Sequence, residues 1–303
     1  MIPVASPLVQ KKVGMIEAPV KQAFGSPGGK SYLASRIVSL IPPHDTYVEP
    51  FAGGAAVYFK KPPSPAEVLN DKDSEIAHAF RFLRDMTPGQ FEKVRNYDWV
   101  RKESLFRKLL ASKPTDDLER FCRYYYLKKA SFASGSERFS EADTGRLITV
   151  DHLWRVHERL KRSRVFTGDA IRLIGRFDSP KTFFYLDPPY PGRGFPGTTH
   201  GANFTDANLE RLVAALKDIK GRFMLSLAPE NAKLLPVNWW VRKVKVRRMM
   251  QVGGADWNQG FQYEIIASNY DPWSIPSSVG TLRRRRNSHR RHRTETALAG
   301  VKG

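Results

Sequence analysis

The sequence predicts an α/β fold: a mostly parallel, mixed seven-stranded sheet interrupted by an inserted helical domain. Three observations predict it. Seven short β-rich runs occur at Thr46–Glu49, Ala66–Leu69, Arg164–Thr167, Thr182–Leu186, Arg222–Leu227, Trp240–Val246 and Phe261–Ala267, most of them separated by helical patterns, as parallel neighbours require. The last two runs have no room for a helix between them, because residues 247–260 hold a Gly-Gly pair and polar side chains, so they pair antiparallel at one edge. Between Asp73 and Lys161 the strand signal vanishes and helical patterns take over.

In chain order, residues 1–23 read as a flexible arm, since Pro3, Pro7, Gly14 and Pro19 break any period. Residues 24–85 open with Gly28, Gly29 and Lys30. Leu33, Ile37, Leu40 and Ile41 then recur at helical spacing, which predicts a helix over Ser31–Ile41, stopped by Pro42-Pro43. The first strand runs through Pro50-Phe51-Ala52-Gly53-Gly54 into a helical pattern over Ala55–Phe59, and the second ends at Asn70-Asp71. Residues 86–162 form the helical insertion. It mixes Leu105, Phe121, Tyr124 and Tyr125 with Arg101, Lys102, Arg107, Lys108, Arg120, Arg123, Lys128 and Lys129, a composition that suits a groove-facing surface, with a plain helical lobe carrying solvated charges as the alternative. Residues 163–273 return to strands and helices, and residues 274–303 read as a disordered basic tail.

Composition narrows the function. The chain has 303 residues, 41% of them hydrophobic and 12% aromatic, enough for a large core. No apolar run approaches the roughly 18 residues of a membrane-spanning helix, and the N-terminus lacks a secretory h-region, so the cytoplasm is the expected compartment. The formal charge is +20, which points to a polyanionic partner, nucleic acid first. From Thr281 onward eight basic residues face Glu295 alone, so the tail carries +7 and the body +13. The tail is a phosphate-binding arm or a solvated end. The single cysteine, Cys122, sits in a helical run and excludes an internal disulfide and a cysteine-rich metal site. His152 and His157 do not share a helical face, His289 and His292 lie in the tail, and no metal is expected.

The chemistry concentrates where an apolar strand, Phe183-Phe184-Tyr185-Leu186, delivers Asp187-Pro188-Pro189-Tyr190 at its carboxyl end, the place where open α/β sheets bind ligands. Pro188 and Pro189 stiffen the backbone and lack N–H groups, leaving carbonyls free to accept hydrogen bonds from outside the sheet. With Asp187 as a second acceptor and Tyr190 as a stacking ring, the arrangement suits a planar amine, such as that of a flipped nucleobase. Gly53 and Gly54 permit close backbone approach at a strand-to-helix turn. Asp71, ending the second strand some twenty residues on, has the placement of a ribose-gripping acid or of a helix N-cap.

EPFAGG, then LND, a helical insertion, TGD and LDPPY, in that order over roughly residues 24–270, resemble the α group of the Dam-like, D12-class DNA adenine N6-methyltransferases; Gly28–Lys30, NFTDANLERL, MLSL and KVRRMMQVGG extend the likeness. The resemblance implies a Rossmann-like class I methyltransferase fold in which residues 24–85 and 163–273 form the catalytic domain and 86–162 the target-recognition insertion. It implies S-adenosylmethionine as cofactor and double-stranded DNA as partner, acted on by a monomer. Carried over by position, Ser26, Lys30, Asp71, Asp169 and Asp187 contact the cofactor or lie at its edge, Phe51 and Gly53 shape its pocket, and Tyr190 faces the flipped adenine. Asp169 reaches the cofactor's adenine end or caps the helix from Ala170. Two positions depart from the family's pattern. Ala55 stands where a second glycine is usual, and Ser26 where an aromatic often precedes the lysine.

The expected function is therefore methyl transfer to the N6 amine of a flipped adenine. Cytosine C5 methylation needs an attacking cysteine, which Cys122 cannot supply from a helix. N4-cytosine methylation uses the same two-acceptor device and stays open, as does a catalytically decayed, DNA-binding member of the fold; RNA or protein-amide methylation ranks below both. Specificity would reside in the insertion and the 191–204 loop.

Overall fold

All seven runs are strands in the computed structural model, which describes residues 19–191, 204–247 and 261–274. They are β1 (Thr46–Glu49), β2 (Ala66–Asp71), β3 (Ser163–Thr167), β4 (Thr182–Leu186), β5 (Arg222–Leu227), β6 (Trp240–Arg247) and β7 (Phe261–Ser268), in the spatial order β3-β2-β1-β4-β5-β7-β6. β1 pairs in parallel with both β2 and β4, placing Val48 beside Val68 and Phe184. β7 runs antiparallel to β5 on one side and to β6 on the other, which is the mixed edge expected where no helix had room. The reversal carries the start of β7 to the carboxyl edge of the parallel strands, with Ile265 opposite Leu227. β1 and β4 are neighbours whose crossovers leave in opposite directions, so the switch point of the sheet lies beyond their carboxyl ends, the place where open α/β sheets take ligands.

β4 is buried along its whole length, and its side chains alternate between two cores. Phe183 and Tyr185 join one core with Tyr47, Leu69, Phe24, Phe80 and Phe59, whereas Phe184 and Leu186 join the other with Val48, Leu173, Leu209 and Leu212. Helices cover both faces, as a parallel sheet needs. α1 (Ala34–Val38), α2 (Ala56–Lys60) and α3 (Ser74–Asp85) lie on the first, and α8 (Ala170–Phe177) and α9 (Asp206–Lys217) on the second.

α1 is shorter than the predicted Ser31–Ile41 helix. Leu33 N bonds to Lys30 O at 2.9 Å, and Leu40 N and Ile41 N bond to Ile37 O and Val38 O, tight three-residue turns that end the helix before Pro42.

Between β2 and β3 the chain builds α3, α4 (Pro88–Arg95), α5 (Glu103–Ala111), α6 (Asp117–Ala130) and α7 (Leu153–Leu160). Asp73 caps α3, and Thr87 with Gln90 forms a capping box at α4 behind Pro88. Phe82 of α3 stacks on Phe121 of α6 with ring centroids 4.6 Å apart. Cys122 is fully buried in this packing, as a small apolar residue. Several basic residues read as groove-facing turn out to be committed within the lobe. Arg120 pairs with Glu75 at 2.5 Å, Arg101 with Asp143 at 3.0 Å, Arg123 donates to Leu109 O and Leu110 O, and Lys128 is buried. Helix ends and acidic neighbours claim these cations, and sequence spacing alone does not show it. Lys102, Arg107 and Lys108 remain exposed.

The arm up to residue 18, the 192–203 stretch of the loop, the MMQVGG segment and the tail from residue 275 lie outside the described residues. No described helix is long and apolar enough to cross a membrane.

Candidate active site

At the carboxyl edge, β1 hands over to α2 through Pro50 to Ala55. Gly53 adopts a left-handed φ of 48°, and a Cβ placed on it would come 2.8 Å from Ser26 Oγ. A Cβ on Gly54 would come 2.7 Å from the Phe24 carbonyl oxygen. Both glycines are thus required by the segment 24–26 lying over the turn, where Ser26 Oγ accepts from Gly54 N at 3.3 Å. Ala55 is itself left-handed, φ 52° and ψ 42°, as it leads into α2.

Asp71, ending β2, accepts from Gly53 N through Oδ2 at 2.8 Å and from Asp73 N through Oδ1 at 2.9 Å. Burial pushes its carboxyl up to about 6 despite these bonds. Asn70 ties three strand ends together: its Nδ2 donates to Pro50 O at 2.9 Å and to Gly168 O at 3.1 Å. Phe51 is half-buried and meets Phe204 edge to face, ring centroids 6.2 Å apart. From α6, Tyr124 stands edge-on to Phe24 and Lys128 lies over its ring at 5.6 Å. The Tyr124 hydroxyl is buried without a hydrogen-bond partner among the described residues. Asp169 is exposed and accepts from Arg172 N at 2.9 Å, capping α8.

A second group assembles beyond β4. Lys30 is 4% exposed; its Nζ lies 2.7 Å from Asp187 Oδ1, donates to Gly28 O at 2.9 Å, and sits 4.9 Å from the centre of the Tyr190 ring. Burial pushes Asp187 up to about 6, with Lys30 pulling the other way. The Tyr190 hydroxyl reaches Glu264 Oε2 at 3.3 Å and, at the limit of a hydrogen bond, Asp187 Oδ1 at 3.5 Å. Glu264 also accepts from the Tyr32 hydroxyl. Pro188 is buried, and Pro189 and Tyr190 are half-buried.

The structure thus brings Lys30, Asp187 and Tyr190 into one cluster and Ser26, Gly53 and Asp71 into another, with Phe51 alongside and Asp169 engaged in a helix cap. Sequence reasoning missed Tyr32 and Glu264, and it named Asn70, Tyr124 and Lys128 only as part of the LND strand end and of the insertion, without a role at this site. The one visible signal was Glu264, a carboxylate interrupting the apolar end of FQYEIIAS. No group of three or more potential metal ligands occurs among the described residues.

Residues 26–249 match the family described as D12 class N6 adenine-specific DNA methyltransferase. The chain belongs to that family. It is an adenine-specific DNA methyltransferase, and the seven-stranded mixed sheet is the Rossmann-like methyltransferase architecture expected of it. Relatives of this D12 methyltransferase include the type II methyltransferase M1.LlaDCHI of Lactococcus lactis subsp. cremoris, 25% identical over 80% of this chain and 93% of that protein. The type II methyltransferase M.CviBI of Paramecium bursaria Chlorella virus NC1A is 27% identical over 54% of this chain and 66% of its own length. A third, the type II methyltransferase M.MjaIII of Methanocaldococcus jannaschii, is 20% identical over 80% of this chain and 96% of its own. In this D12 chain the left-handed Ala55 falls where the glycine turn usually carries its second glycine. Its backbone adopts the left-handed conformation that favours glycine.

Proposed function

We propose that this D12 methyltransferase moves the methyl group of S-adenosylmethionine to the N6 amine of an adenine swung out of double-stranded DNA. The observation that carries the reading is the junction of Asp187 with Lys30 beside Tyr190 at the β1/β4 switch point of the sheet.

The residues present fit a nucleoside with a charged amino-acid end. The orphaned Tyr124 hydroxyl and the Asp71 carboxylate suit ribose and amino-acid polar groups, Gly53, Phe51 and Ser26 belong to the turn beside them, and Lys30 would meet the donor from the Asp187 cluster. Asp169, one residue past Gly168, stands by the end of β3 and would meet the adenine end. The cofactor, when bound, supplies a methyl group on a sulfonium that is already electrophilic.

The chain's own task is the acceptor. An adenine amine has its lone pair delocalised into the ring, so it is a poor nucleophile. Asp187 Oδ and the Pro188 carbonyl would accept from its two N–H groups and draw the nitrogen toward a tetrahedral shape, concentrating the lone pair on the side facing the methyl group; once the N–C bond has formed and the S–C bond has broken, the surplus proton on the nitrogen would leave through Asp187 to solvent. Pro189 stiffens that backbone, and the Tyr190 ring provides the face on which the extruded base stacks. Lys30 keeps Asp187 ionised, which the accepting role demands.

Incubating the protein with duplex DNA and S-adenosylmethionine carrying a deuterated methyl, then digesting to nucleosides, tests this by mass spectrometry. The label should appear on adenine N6. Label on cytosine N4, or no label, would refute the reading.

A further inference from the structure

Glu264 sits in β7, 3% exposed, where the antiparallel turn of the edge brings it back to the carboxyl ends of the parallel strands. Its Oε1 accepts from the Tyr32 hydroxyl, and its Oε2 accepts from the Tyr190 hydroxyl at 3.3 Å and lies 3.8 Å from Lys30 Nζ. Lys30 is already bound more closely by Asp187, at 2.7 Å. One buried ammonium therefore serves two carboxylates, and among the described residues no other basic side chain forms an ion pair with either.

The surrounding titratable groups do not close the balance. Tyr32, Tyr185 and Tyr190 are phenols that burial and the nearby carboxylates hold protonated. Glu49, which faces Asp187 from β1, is pushed up to about 8 by burial and is mostly neutral at physiological pH. Among the described residues the cluster thus sets two carboxyl groups, Glu264 buried and Asp187 half-buried, against the single ammonium of Lys30. An uncompensated buried charge is costly, and such arrangements persist where a ligand completes them.

We propose that Glu264 provides the charge that receives a positively charged group of the methyl donor, while it positions Lys30 and Tyr190. The inference rests on S-adenosylmethionine being the donor. Two cations on that molecule have the required chemistry, its sulfonium and its α-ammonium. Asp187 is matched by Lys30; Glu264 is the second carboxyl group, for which the described residues hold no cation of its own.

Glu264→Gln removes the charge and keeps the shape and an acceptor for Tyr32. Calorimetric affinities in the full chain for S-adenosylmethionine, S-adenosylhomocysteine and 5′-methylthioadenosine separate the sources, because these carry both cations, the ammonium only, and neither. If the charge serves the sulfonium, the substitution weakens S-adenosylmethionine about tenfold or more and the other two little. If it serves the ammonium, the first two weaken together and 5′-methylthioadenosine is spared. The unliganded variant should melt at or above the parent's temperature, since an excess buried charge is gone. A variant that fails to fold, melts lower, or loses none or all three affinities in equal proportion makes Glu264 a structural strut and overturns the proposal. A parent protein that binds none of the three brings down the donor reading and this proposal with it. A parent that binds all three, beside an unchanged variant, refutes the Glu264 assignment alone.

Discussion

Lys30 Nζ and Asp187 Oδ1 meet 2.7 Å apart, joining the turn that precedes α1 to the end of β4. The pair is a coupling device as much as an ion pair. Burial raises the Asp187 carboxyl to about 6 even against the pull of Lys30, whose charge keeps it from rising further and so leaves it ionised at neutral pH.

Asp187 must be unprotonated to accept an amine hydrogen, so the methyl-transfer rate should fall below about pH 6. Lys30→Met removes the neighbouring positive charge, the native carboxyl rises, and the acid limb should move to higher pH by about one unit or more. A pH profile of kcat for parent and variant checks this; an unmoved limb would separate Lys30 from Asp187 function. The linked effect on stability has a fixed sign. A carboxyl near 6 in the native state against its ordinary 3.8 holds its proton more tightly when folded, so its contribution to stability is present at low pH and lost as pH rises from about 4 through 6.

Asp71→Ala frees the amides of Gly53 and Asp73, both of which its carboxylate now accepts. The glycine turn should loosen at a cost of about 1–3 kcal/mol, and affinity for S-adenosylmethionine should drop at least about tenfold. Urea unfolding and calorimetry read the two effects separately. Intact affinity would remove Asp71 from the donor's site.

Ala55→Gly should stabilise the protein. A left-handed alanine costs about 1–2 kcal/mol, and the extra unfolded-state freedom of glycine takes back about 0.4–1 kcal/mol, leaving a net gain of up to about 1.6 kcal/mol. Chemical denaturation measures it, and a loss would mean that burial of the Ala55 methyl outweighs the strain.

Glu67→Gln tests a buried network behind the site. Glu67 joins Arg159 and Lys61, all three buried, and burial pushes the Lys61 ammonium down to about 8. Removing the one carboxylate leaves two cations unpaired, which should cost about 3–5 kcal/mol. Donor affinity measured well below the melting temperature should stay as in the parent; a large change would place the network within the site.

Much of this was legible in the chain. Strand runs such as Phe183–Leu186 and Phe261–Ala267 announce themselves because β-branched and aromatic residues cluster between breakers, and the missing helix before Phe261 foretold the antiparallel edge. Asp187 and Gly53 were legible because strand-end carboxylates and turn glycines are local features. Glu264 was not, because its meaning depends on Tyr32 and Lys30, which only the reversed β7 brings near. The commitment of Arg120 and Arg123 to partners within the lobe was hidden for the same reason: helix packing decided it. Ala55 showed only as a departure from a pattern, since φ is not written in a residue's name.

Single-turnover methyl transfer by Asp187→Ala, beside Tyr190→Phe, tests most directly whether Asp187 and its neighbours prepare the amine. Asp187→Ala removes one of the two acceptors, so the rate should fall about 10²-fold or more with the fold and DNA binding retained, while Tyr190→Phe keeps the stacking face and much of the rate. An Asp187→Ala protein that methylates adenine as fast as the parent would mean that Asp187 takes no part in preparing the amine.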